Sequence, residues 1–450
     1  MSAILQRLQS SGFNFPEACD ELNAWTFSEQ LREKDIDFFR NLVRHHTLLR
    51  FEYGVLCTQL AHDFIRTEDH AQLTQSIKTA LILAEALEVI YRDYLYVPRE
   101  VERLRREQAI YKHFLMVQGY QFIKSQADKE KHINELGISK TVHETSATLN
   151  WFRLYSIRTR RLLVSISALT HEFSSYRQWI DRMDQWARPA LAYFGWIFFI
   201  PRLLVNLVMM AKHTIPGWWM SKNEYDLGLK TRFMLQWQRR WFFLGNDSAW
   251  LTVGLLNCFV LTGVLSPFGL YLSLALQVFD IAMAVAQAHI EISRMRQLQK
   301  QYAEMLNQKS MSAEEQNDIR QYQYHLEKRI AHERKRLGLI VINTVVLLLA
   351  LSLAIPALAF NPLIPVLGAA LAVLTTIVVH SAIRQLQKQK PTDDVSCLKV
   401  EPQKESNLAR HGLFKPSPSP LILQQELQIS RNTGDFISHQ EGTIRALNLQ

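Results

Sequence analysis

Glycine is scarce in this chain, at 16 of 450 residues, and proline is scarcer still at 14. That poverty argues against a turn-rich β architecture and against glycine loops that cradle phosphate. There is no HExxH, no GxxxxGK[ST], no GxGxxG and no Glu-x-x-His pair of the di-iron type. The four cysteines (Cys19, Cys57, Cys258, Cys397) are scattered without a CxxC. They read as reduced or buried thiols rather than a disulfide framework. His45, His46, His62 and His70 fall on helices without ligand spacing, and His143, His171 and His332 each precede a Glu with no second His to complete a site. No metal and no cofactor is therefore expected, no motif names a reaction, and the chain reads as non-enzymatic. The first 25 residues hold no apolar core of signal-peptide length, so export by an N-terminal signal is not expected.

Charge is missing from two long stretches. Residues 337–383 contain no Asp, Glu, Lys or Arg, and residues 248–290 contain a single carboxylate, Asp280. A spanning helix takes about 20 apolar residues, so each stretch has the length of two crossings and a turn. The first breaks at residues 266–269 (SPFG), giving legs 250–266 and 268–290; the second breaks across 356–365, giving legs 337–355 and 363–383. Basic residues flank the open ends (Arg239, Arg240; Arg294, Arg296; Arg334, Lys335, Arg336; Arg384, Lys388, Lys390), while both turns are uncharged. The positive-inside rule then puts all four open ends in the cytoplasm. The net charge of +9 suits an anionic cytoplasmic leaflet as the partner, not nucleic acid.

Residues 189–211 form a third apolar stretch, interrupted by Pro201 and Arg202. A central Arg costs a spanning helix about 2.5–3.5 kcal/mol on insertion scales. Eight of the ten tryptophans fall between Trp179 and Trp250. Tryptophan favours the headgroup level, so residues 189–247 are expected to lie in the interface or to dip in and return, with a fifth full span at 189–211 as the alternative.

The remaining parts read as helical. Leu73, Ile77, Leu81, Ala84, Leu87, Tyr91 and Tyr94 recur at helical intervals up to Pro98, with neighbouring helices near 35–66 and 99–126. Phe152, Tyr155, Thr159, Leu162, Ile166, Leu169, Phe173, Tyr176, Ile180 and Met183 alternate by three and four. That pattern predicts one long helix over about 140–187 whose seam takes a bundle partner or a second copy of the chain. Residues 291–336 read as a projecting helical hairpin, with one apolar edge at Met295, Leu298, Tyr302 and Met305 and the other at Ile319, Tyr322, Leu326 and Ile330. Ser312 and Glu315 have capping-box spacing at the start of its return helix. Past residue 385 five prolines interrupt a polar tail expected to stay disordered.

The expected fold is thus an all-α integral membrane protein. A cytosolic helical bundle with a coiled-coil-type helix (1–188) precedes the interfacial segment (189–247). Transmembrane hairpins at 248–290 and 337–384 flank a cytosolic stalk (291–336), and the tail follows (385–450). Two hydrophobic hairpins joined by a cytosolic segment resemble the reticulon-type membrane-shaping layout, though these legs are long enough to cross fully. A helical domain, internal hairpins and a polar tail also look like the organisation of effectors that bacteria place in host membranes. Both resemblances are of layout and imply a membrane-organising scaffold.

The one polar feature at membrane depth is a face of the second leg carrying Gln277, Asp280, Gln287 and Glu291. At 1.5 Å per residue, Asp280 lies ~15 Å from the cytoplasmic end. Asn257 and Asn343 are its expected partners on neighbouring legs. An intramembrane carboxylate is a candidate proton or cation relay, and equally a hydrogen-bonded tie between helices worth about 1 kcal/mol per bond.

The hairpins predict that alkaline carbonate leaves the protein in the membrane pellet and that tags at Ser2 and Ser312 report from the same compartment of sealed vesicles. Release into the wash, or opposite labelling, overturns the hairpin assignment.

Overall fold

The computed structural model describes residues 3–19, 22–66, 70–122, 138–169, 174–265, 267–307, 313–355, 361–389, 395 and 398. It is all-helical apart from two paired two-residue strands, β1 (Ala24–Trp25) and β2 (Gln121–Phe122). The first six helices are α1 (Ala3–Ser10), α2 (Phe27–Arg32), α3 (Ile36–Arg44), α4 (His46–Arg66), α5 (His70–Val89) and α6 (Pro98–Val117). They bury the apolar stripe read from sequence: Leu73, Ile77, Leu81, Ala84, Leu87, Tyr91 and Tyr94 all face the core. Pro98 opens α6 at its first turn, where a missing N–H costs nothing. The helix expected over 35–66 divides at His45, with Asp35 capping α3 through the Phe38 amide.

Seven helices lie between residues 138 and 355. These are α7 (Ile138–Ser167), α8 (Ser174–Ile197), α9 (Phe199–Thr214), α10 (Lys222–Asp226), α11 (Leu229–Leu255), α12 (Phe268–Leu306) and α13 (Ala313–Ser352); α14 (Leu363–Lys388) follows. Among the described residues four helical stretches are long and apolar enough to cross a membrane: Ser174–Thr214, Phe268–Leu306, Glu315–Ser352 and Leu363–Lys388. Their outer faces carry large exposed apolar side chains, including Leu204 and Val208 on α9, Val278 and Val285 on α12, Ile342 and Leu349 on α13, and Leu374 and Val378 on α14. In water such faces are untenable; in hydrocarbon they are the solvated surface. α13 and α14 approach closely at Gly368, where a Cβ would stand 2.7 Å from the Ala350 carbonyl oxygen.

The stalk does not project freely. Its apolar edges join the core of the N-terminal bundle, with Leu298, Tyr302, Ile319, Tyr322 and Leu326 all buried against it. At the centre of the contact Glu52 on α4 accepts a hydrogen bond from the Tyr302 hydroxyl at 2.8 Å and pairs with Arg7 of α1. Gln6 donates to Glu315 at 2.7 Å, joining α1 to α13; the capping box expected of Ser312 and Glu315 lies outside the described residues, because Ser312 does. α12 and α13 contain 39 and 40 residues. At 1.5 Å per residue each is about 60 Å long, twice the hydrocarbon thickness. The expected boundaries at 290/291 and 336/337 therefore fall inside unbroken helices.

Three further expectations are corrected. The single helix over 140–187 is two: α7 ends at Ser167, α8 begins at Ser174, and the pair folds back on itself with Arg160 bound to Asp184. A seam repeating by three and four is self-complementary, so its halves can satisfy each other across a break. Residues 189–211 run through α8 and α9 within the apolar stretch Ser174–Thr214, which is long enough to cross a membrane. Pro201 in the first turn of α9 lacks an N–H and crowds the carbonyl four residues back, which interrupts the helix at Phe198 but does not reverse it. The tail docks at two points, since Val395 and Leu398 are buried in the bundle core. Its remainder after Gln389 lies outside the described residues.

Within the bundle His46 is buried beside Tyr91, with its Nδ1 2.7 Å from the Val43 carbonyl, and burial lowers its pKa to about 4. Between pH 6.5 and 4 the unfolded chain therefore carries a proton that the folded chain does not. Folding stability should fall on acidification through that window, by about 3 kcal/mol in full. Urea unfolding of the detergent-solubilised protein against pH measures this, and the same slope in His46→Gln would refute it.

Candidate functional site

The buried polar groups at membrane depth converge where α9, α11, α12 and α13 pack. α11 runs antiparallel to α9 and α12, and polar side chains occupy its inner face at helical spacing: Gln236, Arg240, Asp247 and Trp250. Arg202 of α9 is 1% exposed and forms an ion pair with Asp247, 0% exposed, at 2.9 Å. One turn along α9, Asn206 accepts from Arg240 Nη1 at 3.1 Å, and Gln236 accepts from Arg240 Nε at 3.1 Å. Phe199 stacks on Trp250 with an interplanar angle of 12° and also lies against the Arg202 guanidinium. Nearer the bundle, His213 and Glu224 pair at 2.8 Å and tie α9 to α10.

Asp280 is almost wholly buried, as a carboxylate at the helix interface must be. Its partner is Trp250, whose indole N–H donates to Oδ1 at 3.2 Å. The other oxygen, Oδ2, has no hydrogen-bond partner among the described residues. Asn257 does not reach Asp280: it backs against Gly269, where a Cβ would come within 2.7 Å of its Oδ1. The expected register was wrong because the turn is not centred on residues 266–269. α11 ends in a π-turn, Leu256–Val260, and the chain reverses from there. The facing pairs Asn257–Gly269, Trp250–Asp280 and Gly245–Met283 are accordingly each centred within about one residue of Val264. Beyond Ser248 this leg is only about 13 residues long before the turn, ~20 Å, and it is not among the four membrane-length stretches.

Asn343 is buried on α13 with its Oδ1 unpartnered, and no hydrogen bond joins it to Asp280 among the described residues. Gln277 instead donates to the Thr344 carbonyl at 3.4 Å, tying α12 to α13. Gln287 donates to Glu291 at 2.9 Å, and Glu291 lies 3.5 Å from Arg336, so this end of the polar face belongs to a surface network. Asp280 and Gln277 therefore share the buried interface, Gln287 lies at its edge, and Asn257 sits at the opposite turn.

The interaction seam is divided. Ile180 is buried, whereas Phe152 is 56% exposed. Leu162, Ile166, Leu169 and Tyr176 are half-buried, and Phe173 lies outside the described residues. α7 uses other side chains to reach α14: Arg158 donates to Thr376, and Trp151 packs on His380 at 5.1 Å. Between α7 and α8, Tyr155, Thr159, Leu163, Met183 and Leu191 line an open groove.

Asp247 was overlooked because it stands just outside the apolar block. The signal was present, since an Arg inside an apolar run requires an anion on an adjacent helix, and only Asp247 and Asp280 are placed to supply it. Chemically the site pairs buried charges, and among the described residues Asp280 Oδ2 and Asn343 Oδ1 are acceptor oxygens without a hydrogen-bond partner. Compared with protein-family models, characterised proteins and solved structures, the chain matches none.

The buried pair makes a double-mutant prediction. Arg202→Ala should cost about 3–5 kcal/mol by stranding Asp247, whereas Arg202→Met with Asp247→Leu should recover most of that loss. Unfolding in mixed micelles measures both. Additive losses in the double variant would show that the two residues do not act as a pair.

Proposed function

We propose that this protein is a non-enzymatic, multi-pass membrane scaffold that holds a helical platform rigidly against one face of the bilayer. The observation that carries the reading is the continuity of α12 and α13, whose apolar halves carry lipid-compatible faces and whose polar halves share a core with α1 and α4. A domain tethered by a linker could tumble; one that shares a core with two spanning helices cannot. The docked bundle and the stalk lie on one side of the membrane, and the clustered basic residues at the helix mouths favour the cytoplasmic side. The platform's partners are then the anionic leaflet itself and a helical protein or second copy. The exposed faces of α7 and α8, with Leu149, Phe152, Trp179 and Trp186 outward, supply the surface for them.

A second reading is favoured by one observation, the unpartnered Asp280 oxygen: a channel or transporter subunit in which Asp280 titrates. Reconstitution separates the two. On the scaffold reading Asp280→Asn leaves insertion, assembled mass and vesicle permeability to protons and cations at wild-type values, while Leu169→Asp reduces the assembled mass measured in detergent. Flux through the wild type that Asp280→Asn abolishes, with insertion intact, overturns it in favour of transport. A wild-type mass of one chain removes self-assembly from the reading.

A further inference from the structure

The contact between bundle and stalk contains a group of side chains that neither the packing nor the membrane explains. His62 and Asp63 stand near the end of α4, and His325 faces them from α13. The candidate donor atoms of the three lie within 4.8 Å of one another. His62 Nδ1 is 3.2 Å from Asp63 Oδ1, and the two imidazole rings meet edge to face with centroids 5.1 Å apart. We infer that His62, Asp63 and His325 form a binding site for a first-row divalent transition-metal ion of the zinc class, which clasps the N-terminal bundle to the membrane helix α13.

The distances favour a ligand set. Donors around a tetrahedral zinc with bonds of about 2.1 Å stand roughly 3.4 Å apart. One pair is already at that spacing, and the others close to it by side-chain rotation within the 4.8 Å limit. The donor chemistry narrows the ion. Two imidazoles and one carboxylate suit zinc and its neighbours, whereas calcium and magnesium take oxygen shells.

His325 adds the second observation. Its side chain is buried at 7% exposure, yet its contacts among the described residues are ring contacts to His62 and Tyr324, with no hydrogen bond to either nitrogen. Neither nitrogen is sealed from solvent, so one of them can take a metal ion in place of water. His62 and Asp63 remain partly exposed, at 38% and 23%, which leaves a route for the ion and room for a water as fourth ligand. Lys328, one turn beyond His325, turns its ammonium onto the Tyr324 ring at 4.2 Å.

Sequence spacing could not show this site, because its third ligand lies on a helix more than 250 residues away. The consequence is mechanical. Because the ligands come from the bundle and from a membrane helix, the bound ion adds to the Glu52–Tyr302 contact in holding the two together. An ion that binds only the folded arrangement stabilises it.

The test uses full-length protein in detergent, stripped with chelator and titrated with Co2+ as a spectroscopic probe, then with Zn2+ in competition. One ion per chain is expected, with visible absorption of a low-coordinate Co2+ site and a thermal midpoint that rises with added Zn2+. His325→Ala and His62→Gln should each weaken binding at least about 100-fold and abolish the midpoint shift, and Asp63→Asn should weaken it less. His113→Ala, on the exposed face of α6, should change nothing. His62→Gln alters a partly exposed side chain and keeps the test valid if His325→Ala does not fold. No stoichiometric uptake by the wild type, or uptake equal in all variants, overturns the proposal.

Discussion

Two helices serve two solvents. α12 and α13 each run about 60 Å without a break, and halfway along each the side chains that must face outward change character. Toward the ends away from the stalk tip, Val278, Val285, Ile342 and Leu349 face outward and the polar residues Gln277, Asp280, Asn343 and Thr344 face inward. Toward the tip, Leu298, Tyr302, Ile319 and Tyr322 turn into the core of the N-terminal bundle. The rest of the molecule hangs on this inversion. It makes the bundle an extension of the membrane helices and not a passenger on them, and it puts Glu52 against Tyr302 at the junction of the two environments.

Inside the membrane half the same rule explains why α9 and α11 associate. Lipid tails are as apolar as leucine, so the hydrophobic effect gives helices little reason to pair there; packing and polar contacts must do it. Arg202 and Asn206 on one helix and Asp247, Arg240 and Gln236 on the other answer each other residue for residue. Neither helix alone could keep its charged side chain in hydrocarbon. The Arg202–Asp247 pair thus gives α9 and α11 a reason to associate that apolar contact alone would not supply.

Much of this was legible in the chain. Runs without charge gave the three helices with clean apolar faces, and period-3.6 patterning gave the α5 stripe and both edges of the stalk, every named residue of which is buried. The failures share a cause: each needed to know which surfaces meet. The stalk edges were visible, but not that the N-terminal bundle covers them. Arg202 was visible as a cost, but its compensation by Asp247 required the register between α9 and α11. Asn257 was matched to Asp280 by assuming a turn at the proline and glycine, whereas the π-turn at Leu256–Val260 shifts the register toward Trp250. The α7 seam had the right period and the wrong continuity, because periodicity does not distinguish a helix paired with a second chain from one folded onto its own continuation.

The same geometry bears on the choice between platform and pore. A conducting path needs several titrating or solvating groups in sequence along the membrane normal, with alternating states open to either side. Here Arg202 is neutralised by Asp247, Arg240 is held by two amide oxygens, and Gln277 is committed to a backbone carbonyl. Each of these contacts fixes a helix against its neighbour, and moving any of them exposes a charge or a carbonyl to hydrocarbon. Asp280 and Asn343 differ: one oxygen of Asp280 is held by Trp250, while the other, like Asn343 Oδ1, has no hydrogen-bond partner among the described residues. On the proposed scaffold reading these contacts hold the polar interior in one arrangement. Resistance to motion is what a surface presented to partners requires, and what a transport cycle must avoid.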